Sequence, residues 1–292
     1  MLEVISIICC IIIVCIIIVL VESKIECAKY KIKKYSLTSS KINGDIKIVM
    51  LADLHNSNHK DNHKRMLEDI KAAKPDVIIL AGDMIISHSD QDEENKATAK
   101  FINKLSDIAP LYYGIGNHEK KATLSKQRLN ELWQAYMSDM DFSKVHLLVN
   151  EKAQIAVKNN KINILGLDLD IEYYKRFVEK KLSQAQLIDI FGAIDNENYN
   201  ILIAHNPDYF KVYADYGVDL VCSGHNHGGL VRLPLLGGVI SPRLRLFPKY
   251  DYGIFLSQNT HMVLTSGLGA HSIKIRFNNV PELVFIEIKE EK

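Results

Sequence analysis

Five short segments rich in Asp, His and Asn each stand just beyond an apolar run, and that placement limits the possible folds more than any other property of the chain. Asp53 and His55 follow the run Asp45 to Ala52, Gly82 and Asp83 follow Asp76 to Ala81, and Gly116, Asn117, His118 and Glu119 follow Leu111 to Ile115. In the second half His205 follows Asn200 to Ala204, and Gly224, His225, Asn226 and His227 follow Val218 to Ser223. Continuous apolar runs of this length predict strands buried on both faces. Between them, Lys64 to Ala73, Asp92 to Ile108 and about Leu124 to Met137 have helical character. Strands alternating with helices predict an α/β fold. Polar groups beyond the carboxyl ends of its strands then gather at one edge of the sheet, where open α/β sheets build their sites.

Between the halves, Gln154 to Val157 and Lys161 to Leu167 read as paired strands. Later runs at Gly253 to Leu256, His261 to Thr265 and Glu282 to Ile288 have antiparallel character and are expected to extend a second sheet.

The first residues depart from this pattern. Val4 to Val21 holds no charged residue, and its roughly 27 Å as a helix matches a bilayer core. A terminal run with no polar face predicts a transmembrane anchor over 1–21, a polar juxtamembrane linker over 22–44 and one catalytic domain over 45–292. A cleaved signal peptide calls for a basic residue before the run and small residues after it; here Glu3 precedes it and Glu22, Ser23 and Lys24 follow. Lys24, Lys29, Lys31, Lys33 and Lys34 all lie after the run and no Lys or Arg before it, so the positive-inside rule predicts a cytoplasmic domain. Cys9, Cys10 and Cys15 are apolar filler within the run, and Cys27 and Cys222 leave no disulfide framework.

Composition narrows the partner. With 36 Lys and Arg against 35 Asp and Glu, the net charge is +1, which argues against an electrostatic nucleic-acid binder. A small phosphoester or lipid-phosphate substrate is easier to accommodate, and the charge balance says nothing of oligomeric state.

Carboxylate, neutral imidazole and amide oxygen together suit a borderline divalent cation (Mn, Fe, Zn or Co) better than Ca. Two cations about 4 Å apart need a shared ligand. Asp83 is the natural bridge, because Gly82 lets the backbone turn tightly into the site. Asp53 and His55, two residues apart, can point the same way, and His225 and His227 share that spacing.

The whole series resembles the calcineurin-like metallophosphoesterase superfamily over residues 46 to 288, and all five blocks match. The resemblance implies a four-layer αββα sandwich of two mixed sheets. It implies that Asp53, His55, Asp83 and His227 hold a first divalent metal ion and Asp83, Asn117, His205 and His225 a second. It implies in-line attack on phosphorus by a hydroxide shared between the cations, with His118 outside the metal shell to protonate the leaving oxygen or steady the transition state. Glu119 is expected to orient His118 or to be a plain surface carboxylate. His59 and His63 read as a solvated helix start, and His88, His146, His261 and His271 as ordinary histidines, His271 lying in a glycine loop that could approach the site.

The apolar N-terminus, Phe247 to Tyr250, Gly267 to Gly269 and Asn278 to Glu282 resemble a membrane-associated bacterial branch of that superfamily, similar to enzymes that cut phosphodiester or pyrophosphate bonds in lipid-linked nucleotides. Arg232, Arg243, Arg245 and Lys249 suit a phosphate or anionic headgroup, with a solvated basic loop as the alternative reading. The rivals are a phosphomonoesterase or protein phosphatase, a nuclease, and a non-catalytic metal-containing scaffold.

Overall fold

The computed structural model describes residues 2–57, 62–88, 90–176, 180–270 and 275–291. Helix α1 (Leu2–Cys27) passes through Ala28, Lys29 and Tyr30 into β1 (Lys31–Ser39). Then come β2 (Ile46–Leu51), α2 (Asn62–Ala73), β3 (Val77–Ala81), α3 (Asp92–Ser106), β4 (Leu111–Gly114), α4 (Asn117–Leu124), α5 (Arg128–Ser138) and β5 (Val145–Leu148). The second half contains β6 (Glu151–Val157), β7 (Asn160–Leu167), α6 (Gln184–Phe191), β8 (Tyr199–Ala204), α7 (Phe210–Tyr216) and β9 (Leu220–Ser223). A short hairpin, β10 (Arg232–Leu233) and β11 (Gly237–Gly238), precedes β12 (Gly253–Ser257), β13 (Thr260–Leu264) and β14 (Glu282–Glu290).

Among the described residues the strands form two six-stranded mixed sheets, ordered β1-β14-β2-β3-β4-β5 and β12-β13-β9-β8-β7-β6. In the first, β2 to β5 run parallel; in the second, β7, β8, β9 and β13 do. Ile48, Met50 and Ile79 of one sheet pack with Ile164, Ile203 and Cys222 of the other. Helices cover both outer faces, Met66, Ile102 and Trp133 on one side and Leu187, Phe210 and Tyr213 on the other. Side chains of this size contribute roughly 1.5–3 kcal/mol each when buried. The outcome is the expected αββα sandwich, with β2, β3, β4, β8 and β9 all ending toward one edge.

Four local expectations need correction. Residues 22–44 are not a free linker: α1 runs on to Cys27, and β1 pairs in parallel with β14 from Lys31 to Ser39. The folded unit therefore begins at β1 rather than at residue 45. The lysines on β1 suit an edge strand, where charge blunts further pairing, and Tyr35 and Leu37 turn inward at the alternate positions. Secondly, β14 does not extend the second sheet, since it inserts between β1 and β2 of the first, antiparallel to β2. Thirdly, the helical stretch near Leu124 to Met137 is two helices, and α4 already starts at Asn117. Finally, Arg232 pairs with Asp251 at 2.8 Å, and Arg243 and Arg245 both pair with Asp208 at 2.8 Å, so these three arginines brace the loops that carry them.

The apolar helix α1 is long enough to cross a membrane, a test that a signal sequence also passes. Its Val19, Glu22, Ser23, Glu26 and Cys27 are at least partly covered while their neighbours are exposed, the spacing of one helical face. Ser23 Oγ accepts the Arg276 N–H at 2.9 Å, and Glu26 Oε2 accepts the Asn279 N–H at 2.8 Å.

Candidate metal centre and active site

All seven expected ligands and His118 are buried. The loops that carry them are tied backbone to backbone: Asp53 N–H donates to Gly82 O at 2.9 Å, His55 N–H to Asp83 O at 3.1 Å, and Gly224 N–H to His205 O at 3.1 Å. Asp53, His55, Asp83, His225 and His227 all have φ between 48° and 75°. This left-handed region costs non-glycine residues energy, and such strain clusters at functional sites. Two glycines make room. Gly82, at φ +84°, would place a Cβ 2.7 Å from Gly116 N and His205 Nδ1, and a Cβ on Gly224 would lie 2.5 Å from Asp53 Oδ2.

The side chains converge in three overlapping groups, Asp53 with His55 and His227, His55 with Asp83 and His118, and Asp83 with His205 and His225, each group's atoms lying within 4.8 Å of one another. His55 Nε2 faces His227 Nε2 at 3.1 Å. His227 Nε2 is 3.3 Å from Asp53 Oδ1, and His205 Nε2 is 3.1 Å from Asp83 Oδ2. The Ala81 carbonyl, 2.7 Å from His205 Nδ1, accepts the proton on that nitrogen and leaves Nε2 as the ring atom aimed at Asp83. Asp83 Oδ1 accepts the His118 N–H at 2.8 Å, capping the start of α4 while Oδ2 stays with the histidines.

Electrostatics reflect this crowding. Burial disfavours charge on both His205 and Asp83, yet their mutual attraction, with Asp53 adding to it, pushes His205 up to about 10 and holds Asp83 well below the carboxylate range. Burial keeps His118 below the usual histidine range, and His225 well below it. Asn117 Oδ1 and His225 Nε2 are buried and have no hydrogen-bond partner among the described residues. Buried acceptors that face acceptors, and buried donor atoms with nothing to bind, fit divalent cations of the kind carboxylate, imidazole and amide donors select.

Glu119 does not orient His118. Its carboxylate takes the N–H groups of Asp83 (2.9 Å), Met84 (2.7 Å) and Gly116 (2.9 Å) and the Tyr113 hydroxyl (2.8 Å), clamping the Asp83 loop to the start of α4. Burial and the neighbouring Asp83 push it up to about 7. Glu119→Ala leaves those donors unsatisfied, at about 1–3 kcal/mol each. A loss of about 3–5 kcal/mol is expected, read as a drop in Tm on the order of 10 °C; a melting curve unchanged from wild type would remove the clamp.

His118 Nδ1 instead accepts the Ser87 N–H at 2.9 Å, with Ser87 Oγ at 3.0 Å. Tyr174 packs against two of the histidines, its ring centre 5.1 Å from that of His225 in a T-shaped contact and 6.2 Å from that of His205. Arg276 and Asn279 are further members that sequence reading missed. Arg276, 2% exposed, donates to the carbonyls of Ser266 (2.7 Å) and Gly269 (2.5 Å) and approaches His227 Nδ1 at 3.5 Å. Asn279 Nδ2 donates to the carbonyls of His227 and Gly229, both at 2.6 Å. An arginine close before Asn278, Asn279 and Pro281 was the signal available.

His63 stacks on Phe101 with ring centres 4.3 Å apart, away from the cluster. His88 is exposed and His146 stacks on Tyr112. His59 and His271 lie outside the described residues.

Two stacked mixed sheets with carboxylate, imidazole and amide donors gathered at their strand ends define a metal-dependent phosphoester hydrolase. Comparison with known proteins agrees. This chain belongs to the calcineurin-like phosphoesterase family, whose profile matches residues 46–229. It is 29% identical over 272 residues to the metallophosphoesterase YkuE of Bacillus subtilis (strain 168), an alignment covering 91% of this chain and 86% of that one. It is 28% identical over 247 residues to the phosphodiesterase YaeI of Escherichia coli (strain K12), covering 83% and 82%. Its fold is similar to that of the NAD nucleotidase NadN of Haemophilus influenzae, with a TM-score of 0.53 and 17% identity over 77% of this chain and 46% of that one.

Proposed function

We propose that this chain uses two divalent cations to hydrolyse a phosphodiester or pyrophosphate bond in a lipid-linked or nucleotide-containing substrate at a membrane. The observation that carries the reading is the overlap of buried donor groups at Asp83, with Asn117 Oδ1 and His225 Nε2 buried and without a hydrogen-bond partner among the described residues. Asp53, His55, Asp83 and His227 would hold one cation, and Asp83, Asn117, His205 and His225 the other. Such cations, when bound, neutralise charge on phosphoryl oxygens and acidify water toward neutrality.

The protein's own groups supply the rest. Because Ser87 donates to His118 Nδ1, the neutral ring carries its proton on Nε2. That N–H can donate a hydrogen bond to the leaving oxygen and steady the negative charge that grows on it as the bond to phosphorus breaks, while the proton that oxygen finally takes comes from water. His118 also lies within ligand distance of His55 and Asp83, so its separation from the metal shell rests on Nδ1 being engaged.

A diester or pyrophosphate is favoured over a monoester by the similarity to YaeI, whose name is phosphodiesterase. The membrane setting is supported by α1, whose last turns are bonded into the domain through Ser23 and Glu26; removing them would orphan the Arg276 and Asn279 amides. The five lysines after the apolar run favour a cytoplasmic domain, and the balanced charge favours a substrate other than nucleic acid.

Metal analysis of the purified chain, followed by bis-p-nitrophenyl phosphate, p-nitrophenyl phosphate and nucleotide-linked lipids, tests the reading. Two cations per chain and faster turnover of diesters or lipid pyrophosphates are expected. Chelation is expected to remove activity, with recovery on adding back Mn, Zn, Fe or Co. No turnover with any of them would favour a scaffold, and preference for the monoester a phosphomonoesterase.

A further inference from the structure

The segment after His227 forms a narrow ribbon that spreads from the base of α1. Phe277 pairs with Val231, with Arg232 N–H donating to Phe277 O at 3.0 Å and Phe277 N–H to Leu230 O at 3.1 Å. Leu230 and Val231 pair in turn with Ile240 and Val239, and Val239 O accepts the Phe247 N–H at 2.9 Å. The ribbon thus leads from Phe277, which lies between the α1-bonded Arg276 and Asn279, out to Phe247.

Its outer parts carry Leu233, Leu235, Leu236, Leu244, Leu246 and Phe247, all exposed. Leu235, at the hairpin turn, is 106% exposed, as bare as a side chain can be. Leu235, Leu244 and Phe247 have φ of 69°, 61° and 47°, an unfavourable conformation for bulky residues that have no turn chemistry of their own. Apolar side chains displayed at such cost and in such number mark a contact surface. Lys175, Arg176 and Lys249 border it and are exposed; the Arg176 guanidinium reaches the Pro242 carbonyl of the same loop at 3.5 Å.

We infer that this ribbon is a bilayer-docking surface, its leucines and Phe247 set among lipid chains and its bordering cations among anionic headgroups. Two observations select a bilayer as the occupant. The ribbon is continuous, through Phe277, with the base of the one described helix suited to cross a membrane. Val19, inside the apolar run itself, is less exposed than the residues around it and lies on the same helical face as the bonded Ser23 and Glu26. Apolar groups ringed by Lys and Arg are the composition of interfacial membrane contacts. Since the ribbon starts at His227, the metal cluster would open beside the lipid surface. The inference rests on the membrane setting proposed for α1.

The full chain in vesicles of phosphatidylcholine and phosphatidylglycerol, with and without bromine on the acyl chains, tests it through single tryptophan substitutions. The one native tryptophan, Trp133, is buried and supplies the blank. Ile12→Trp in α1 reports whether the anchor is in lipid, and Phe142→Trp, exposed on the loop between α5 and β5, reports indiscriminate adherence. Leu235→Trp and Leu246→Trp are expected to show roughly twofold quenching by the brominated lipids, as a side chain at the acyl boundary should, with Phe142→Trp unquenched. Quenching of Ile12→Trp without either ribbon variant overturns the docking surface and leaves the anchor standing. Absence of quenching at all positions overturns both. Equal quenching of Phe142→Trp and the ribbon overturns the assignment to this face.

Discussion

Asp83→Asn is expected to lower kcat/KM on a diester by on the order of 10³-fold or more, the several kcal/mol by which metal ions stabilise a phosphoryl transition state. Asn fills nearly the same space, so the fold should survive while the charge goes. That charge is central to the proposed site. Oδ2 sits 3.1 Å from His205 Nε2 and 3.9 Å from His55 Nε2, while Oδ1 accepts the His118 N–H. An amide offers one oxygen where the carboxylate offers two, so it can serve the α4 cap or one cation. Metal content is expected to fall below two per chain along with activity. A variant with full metal content and wild-type turnover would remove Asp83 from the shared position.

His118→Ala is expected to behave differently, lowering kcat by roughly 10²–10³-fold, the range for losing one hydrogen-bond donor to a developing oxyanion, with metal content retained. The leaving group gives a sharper readout. p-Nitrophenolate departs without much help from a hydrogen-bond donor, whereas an alkoxide does not, so the loss on bis-p-nitrophenyl phosphate should be smaller than on an alkyl diester. Loss of a cation in this variant would instead make His118 a ligand, as its place beside His55 and Asp83 allows. Ser87 offers a companion test, because Ser87→Pro removes the N–H that holds the ring's proton on Nε2.

The parts of this molecule written into local sequence were read from it, and those set by distant partners were not. Strands β3, β8 and β9 are buried at every position and β2 at all but Lys47, so they appear as mainly apolar runs, and the donors after them fall at the predicted edge. Asp53, His55, Asp83, His205, His225 and His227 come together, with His118 among them. The start of α4 was missed because Asn117 and His118 look like loop residues until Asp83 supplies the cap from another loop. The sheet to which β14 belongs depends on its pairing with β1 and β2, partners more than two hundred residues away in sequence. Glu119 was misread in part for the same reason, since the Asp83, Met84 and Ile85 N–H groups it accepts come from a loop more than thirty residues away. Arg243 and Arg245 resembled a free basic cluster because their partner Asp208 lies outside the segment that holds them.

Only Ala28, Lys29 and Tyr30 separate α1 from the edge strand of the first sheet, and Ser23 and Glu26 are already bonded to the domain before that point. With α1 in a bilayer, such a joint is a short rigid stalk that leaves the enzyme almost no reach into the surrounding volume. With the proposed lipid-linked substrate in the same bilayer, encounters would be two-dimensional collisions between a fixed mouth and substrate drifting past it. Diluting a vesicle suspension should leave the rate per enzyme unchanged, while diluting the substrate with inert lipid at constant bulk amount should slow it in proportion.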